Sequence, residues 1–66
     1  MEPIEVAKKF EGLQLKNAEG IAHAHSWEIR VIREDGEDFE YTADFKLRRV
    51  NVAVENGVIT EVLFIG

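Results

Sequence analysis

The stretch Phe39-Glu40-Tyr41-Thr42-Ala43-Asp44-Phe45-Lys46-Leu47-Arg48-Arg49-Val50-Asn51-Val52-Ala53-Val54 decides how the whole chain is read. Phe39, Tyr41, Ala43, Phe45 and Leu47 alternate without a break with Asp38, Glu40, Thr42, Asp44 and Lys46, the period of two of an extended segment. At Arg48-Arg49 the phase flips. Val50, Val52 and Val54 become the apolar face, while Arg49, Asn51 and Ala53 point the other way. A one-residue change of phase exchanges the two faces, so residues 38–47 and 49–54 cannot form one flat strand. Either a bulge or a change from loop to strand sits at Arg48.

On the C-terminal side, Asn56-Gly57 between two apolar runs is a strong hairpin signal. Val58 to Ile65 is the returning strand, and its dense Val-Leu-Phe-Ile end reads as buried on both faces. On the N-terminal side, Trp27, Ile29 and Val31 alternate with Glu28, Arg30 and the ambiguous Ile32, as in a half-buried strand that stops at the turn signal Asp35-Gly36. Leu15, Ala18, Ile21, Ala22 and His25 recur at helical spacing. They predict a short helix over roughly 17 to 25, with Asn17 as N-cap and Glu19 suited to the first-turn dipole. Gly20 weakens that helix by about 1 kcal/mol relative to Ala. Residues 1 to 11 have two readings: a helical turn opened by Pro3 and ended by Gly12, or an extended lead-in that docks Phe10.

The composition bounds what such a chain does. Its 66 residues make one domain that buries roughly 60% of the surface its unfolded form exposes. There is no cysteine, hence no disulfide and no thiolate metal site. Apolar residues at 45%, with four Phe, one Tyr and one Trp, are enough for a core. With 13 acidic against 8 basic residues, the net charge of −5 disfavours nucleic acid and anionic membrane as partners. No apolar run approaches the ~20 residues of a membrane span, and Met1-Glu2-Pro3 begins no signal peptide, so the expectation is a cytoplasmic chain, monomeric by default. A chain this small suits surface recognition better than a pocket.

The residues also weigh against catalysis and cofactors. Ser26 is the only serine, and neither His23 nor His25 forms a recognisable constellation with it. On a helix the two histidines diverge, so they do not share a metal, and they fit a helix C-terminus favoured by the dipole. The acids Glu34, Asp35, Glu37, Asp38 and Glu40 form a solvated loop or a surface for a basic partner. Lys46 and Arg48 are read as exposed. The alternation of Phe39 to Leu47 is left with two readings, a meander strand paired to residues 27–33 or a projecting extended loop.

At Thr42-Ala43-Asp44-Phe45-Lys46-Leu47-Arg48-Arg49-Val50-Asn51-Val52, with the Asn56-Gly57 hairpin and the final Gly66, the chain resembles the potato inhibitor I (eglin-type) serine-protease inhibitors, especially their bacterial and fungal elastase-inhibitor relatives. Phe10-Glu11-Gly12 and Trp27 to Arg33 extend the resemblance over about residues 10 to 66. It implies an α+β fold: a single domain over residues 1–66, with one short helix packed on a small mixed sheet and an extended loop over about 35–47 joining two parallel strands. It further implies that the loop enters a protease cleft as a substrate would. Tyr41, Thr42, Ala43, Asp44 and Phe45 would contact the enzyme, Ala43–Asp44 would lie at the position of the cleaved bond, and Arg49 would hydrogen-bond Thr42 and Asp44 with Asn51 as second brace. A serine protease of subtilisin or elastase type suits the small Ala43, no cofactor is implied, and a non-inhibitory protein-binding module using the acidic loop is the alternative. The chain departs from the family in three places. Five residues rather than three separate Gly36 from Thr42, Arg48 replaces a usual Asp, and Phe64-Ile65-Gly66 replaces a frequent cysteine, with the Val62 to Ile65 run as the apolar substitute for a disulfide.

Overall fold

Proline at a first helical position costs no hydrogen bond, and Pro3 opens a short helix α1, Pro3–Ala7, which tightens into a 3-10 turn over Lys8–Phe10. The computed structural model describes residues 3–66; Met1 and Glu2, and with them the expectation about how the chain begins, lie outside that range. Of the two readings of the N-terminal segment the helical one holds, so the fold has two short helices where one was expected. Ala7 and Phe10 are the residues that this segment buries. Gly12, at φ +89°, then turns the chain.

Helix α2 spans Leu15–Ala24, two residues earlier than expected at its start, and its N-cap is Gln14, not Asn17. The cause is tertiary. Gly12 N donates to Ile59 O, Ile59 N to Leu13 O and Leu15 N to Gly57 O, each at 2.8 Å. The backbone is thus tied to the last strand up to the first helical residue. Ala18 and Ala22 face the core, whereas Ile21 and His25 are exposed. The helix ends in a Schellman motif: Trp27 N donates to Ala22 O at 2.7 Å and Ser26 N to His23 O at 3.1 Å. The left-handed position is held by Ser26 at φ +61°, where glycine is the usual occupant. Ser26→Gly is therefore expected to stabilise the chain by about 1 kcal/mol, read as a higher urea midpoint at unchanged slope.

The four strands are β1 Glu28–Glu34, β2 Glu37–Asp38, β3 Arg49–Glu55 and β4 Val58–Ile65, in the sheet order β2-β1-β3-β4. β1 and β3 are parallel; the other two pairs are antiparallel. This is an α+β fold with a mixed sheet, as expected. Asp35-Gly36 and Asn56-Gly57 both adopt positive φ at both positions, the geometry that suits two-residue hairpins. The Asn56-Gly57 hairpin joins β3 to β4 through the pair Glu55↔Val58.

Val50, Val52 and Val54 of β3, Ile59 and Val62 of β4, Ala18 and Ala22 of α2, and Ala7 and Phe10 form the main core cluster. β3 is central, so its other face is covered as well: Arg49, Asn51 and Ala53 are buried. The ambiguous Ile32 is the extra residue where the β1–β3 register shifts between Val31 and Arg33, and it is buried apart from the main cluster. The end of β4 is not buried on both faces. Val62 is buried, but Leu63 and Ile65 are half-buried and Phe64 is exposed, because β4 is an edge strand with a neighbour on one side only. Among the described residues no helix is long and apolar enough to cross a membrane.

Candidate functional site

Two parallel strands need a long crossover between them, since a tight turn reverses direction. The segment between Glu34 and Arg49 is that crossover. It begins as a hairpin, with Arg33↔Asp38 and Glu34↔Glu37 paired and Phe39 N donating to Ile32 O at 2.9 Å. Pairing then stops. Residues 40–46 are irregular and every one of them is exposed. The meander reading thus holds for the two residues of β2 and fails beyond Phe39, and the projecting loop is shorter than the 35–47 expected. The phase flip at Arg48 is the change from this loop to β3, with a turn at Leu47-Arg48 and no bulge.

Arg49 is the first residue of β3 and is only 4% exposed. Its Nη2 donates to Asp44 O at 2.8 Å and its Nη1 to Asp44 Oδ2 at 3.3 Å, while Nε donates to Gly66 O at 2.7 Å. One planar guanidinium thereby joins the loop, β3 and the end of the chain. It does not bond Thr42. That role falls to Arg30 of β1, whose Nη1 donates to Thr42 Oγ1 at 3.2 Å and lies 4.0 Å from Asp44 Oδ1. Arg30 also sits 4.8 Å above the Tyr41 ring, which in turn approaches Phe64 at 6.0 Å between centroids.

Asn51 makes no hydrogen bond to the loop and is linked to it through Arg30 and through the Gly66 carbonyl that it shares with Arg49. Fully buried, it accepts from Arg30 Nε at 2.6 Å on Oδ1 and donates from Nδ2 to Phe64 O and Gly66 O, both at 3.3 Å. The sequence reading therefore missed Arg30 and gave Asn51 a contact that it does not make. The parallel register sets Arg30 directly beside Asn51, and that cross-strand pairing is the signal that would have revealed it.

Thr42, Ala43 and Asp44 are consequently held from both sides. The Thr42 hydroxyl donates to Asp44 Oδ1 across Ala43, which is exposed. That hydroxyl first, and the Arg49 guanidinium second, hold the Asp44 carboxyl down at about 2, below its ordinary 3.8. The folded-state value is lowered, so the bracing charge is fully present above about pH 4 and is lost as pH falls through about 2. A carbon-detected carboxyl titration should place the Asp44 midpoint near 2, and Arg49→Ala should move it upward. A midpoint at 3.8 in the unaltered chain would show that the brace does not form in solution.

The remaining charges of the region are weaker ties. Lys46 Nζ lies 3.3 Å from Glu28 Oε1, and Arg33 Nε 2.6 Å from Asp38 Oδ1, both on the surface, where solvent screening leaves such pairs little stabilising effect. Arg48 donates to His25 O at 3.3 Å and lies over Trp27. Glu34, Asp35, Glu37, Asp38 and Glu40 are all exposed on the arm before Ala43. Among the described residues no three His, Cys, Asp or Glu side chains are grouped to hold a metal ion. No family model, no curated protein and no solved structure matches the chain.

Proposed function

We propose that the chain inhibits serine proteases of subtilisin or elastase type by presenting Tyr41 to Phe45 to the cleft as a substrate-like segment, with Ala43 in the primary pocket. One observation carries this reading: the exposed residues on either side of Ala43 are each held by an arginine rooted in a different strand, Arg49 buried in β3 and Arg30 half-buried in β1. An arrangement of that kind orders a loop without covering it. Ordering in advance lowers the conformational entropy lost on binding, so a short segment can bind tightly within an interface of ordinary size. The small side chain of Ala43 suits pockets that accept small or apolar residues and offers nothing to one that wants a cation.

Inhibition constants against subtilisin, elastase, chymotrypsin and trypsin test the reading. Inhibition of subtilisin or elastase well below micromolar concentration, with trypsin unaffected, is the expected pattern. No inhibition of any of the four by micromolar protein would sink it. The exposed acids before Ala43 favour a second reading, a non-inhibitory module that binds a basic partner. Reversing the charges of Glu37, Asp38 and Glu40 would abolish such binding, whereas a protease inhibitor would depend more on Ala43.

A further inference from the structure

The apolar residues that alternate along the loop have no core to enter. Phe45 is 66% exposed and Leu47 77%, and Phe64 beneath them is 37% exposed. With Ile4, Leu63 and Ile65 these three line a groove of about 430 Å³ that runs from the loop down the end of β4. An apolar surface of this kind on a small chain marks a contact site, because folding alone gains nothing from it. Gly66 is part of its construction: a Cβ there would come within 3.3 Å of the Phe64 ring and 3.5 Å of the Phe45 ring. The absence of a side chain at that position lets both rings settle against the backbone.

The two arms of the loop differ in chemistry. Before Ala43 the acids Glu37, Asp38 and Glu40 are interleaved with Phe39 and Tyr41, 40% and 50% exposed; after Asp44 come the more exposed Phe45 and Leu47 with Lys46 and Arg48, and no acid among them. Ala43 itself offers a single methyl group. Thr42 and Asp44 spend their polar atoms on each other and on the two arginines. Tyr41 already lies between the Arg30 guanidinium and the Phe64 ring, so the most exposed large side chains left for a partner to bury are Phe45 and Leu47, after the Ala43–Asp44 bond.

Resting on the proposed inhibitory function, we infer that most of the affinity for the protease comes from Phe45, Leu47 and the groove beneath them rather than from Ala43. The partner is accordingly a serine protease whose cleft is apolar on the side that receives residues following the cleaved bond. Continuity fixes this occupant: Phe45 follows Asp44 directly, so an enzyme that holds residues 41–45 in extended form must lie against the groove. Buried aromatic and aliphatic anchors dominate interfaces of this type, and the loss of one commonly costs a factor of about 30.

The test compares inhibition constants of the unaltered chain, Phe45→Ala, Leu47→Ala, the double variant and Ala43→Gly against whichever of the four enzymes is inhibited best. Both residues are exposed, so the variants should melt at nearly the temperature of the parent. Each single loss should weaken inhibition about 10- to 30-fold and the double loss more than about 100-fold, with Ala43→Gly costing less than either single change. If the double variant inhibits within about threefold of the parent while Arg49→Ala does not, the inference falls and the inhibitory reading stands. If the parent inhibits nothing, both fall. If the parent sediments as a dimer that the double variant dissociates, with inhibition unchanged, the groove belongs to a second copy and the inference is overturned.

Discussion

Arg49→Ala is expected to remove most of the proposed inhibition and about 3 kcal/mol of stability together. A 66-residue domain has on the order of 3–10 kcal/mol in total, so the loss is a large share of it. It should appear as a fall in Tm of more than about 10 °C. The argument rests on burial. Arg49 is nearly inaccessible, and its three partners are the Asp44 carbonyl, the Asp44 carboxylate and the Gly66 carbonyl. Alanine leaves the Gly66 carbonyl with only the long bond from Asn51 and leaves Asp44 untethered from β3. Hydrogen bonds to charged groups contribute more than neutral ones, and a buried carbonyl reduced to one long bond carries part of the desolvation cost.

Destabilisation by itself does not weaken an inhibitor that remains folded, so a control destabilised away from the loop is needed. Val62→Ala removes core volume at a position that makes no polar contact with the loop, at a cost of about 2 kcal/mol. Measured well below both melting temperatures, it should keep the inhibition constant of the parent. Arg49→Ala should not, and its loop should be cut between Ala43 and Asp44 faster than that of the parent. Arg49→Lys should fall between, because an ammonium supplies the charge without the fork that reaches three acceptors. Equal inhibition by Arg49→Ala and Val62→Ala would remove Arg49 from the mechanism.

What the sequence made legible, and what it hid, divides along the range of the interactions. The Asn56-Gly57 hairpin, the face change at Arg49 and the burial of Val50, Val52 and Val54 are encoded by neighbouring residues and read off directly. The approach of Arg49 to Asp44 was implied only by the resemblance, and the structure shows it as a contact across one turn. The misjudged features depend on elements far apart in sequence. Helix α2 starts at Leu15 because residues 12–15 are tied to Gly57 and Ile59, which no local capping rule anticipates. Val62 to Ile65 looks two-sided by composition, yet an edge position leaves half of it open. Arg30 alternates with Ile29 and Val31 as any solvent-facing strand residue would. Only the parallel pairing of β1 with β3 places it against Asn51 and under Thr42.

That same pairing makes the second brace a relay, and the relay can be tested. Asn51→Leu keeps the volume and the apolar surroundings but deprives Arg30 Nε of its acceptor, removes a side-chain donor from the Phe64 carbonyl and leaves the Gly66 carbonyl with its bond from Arg49 alone. With Asn51 wholly buried, the expected cost is about 2–3 kcal/mol, and inhibition should weaken although residue 51 touches no part of the loop. Arg30→Met removes the ties to Thr42 and Tyr41 directly and should weaken inhibition by a similar factor. If Asn51 acts by aiming Arg30, the two losses of inhibition overlap, and the double variant inhibits nearly as well as Arg30→Met alone. Stability behaves differently, because Asn51→Leu takes a donor from the Phe64 and Gly66 carbonyls whether or not Arg30 is present. The stability costs should therefore remain closer to additive while the inhibition costs do not. Inhibition losses that simply multiply would show Asn51 and Arg30 to be independent, and would reduce Asn51 to a structural residue of the β3–β4 pair.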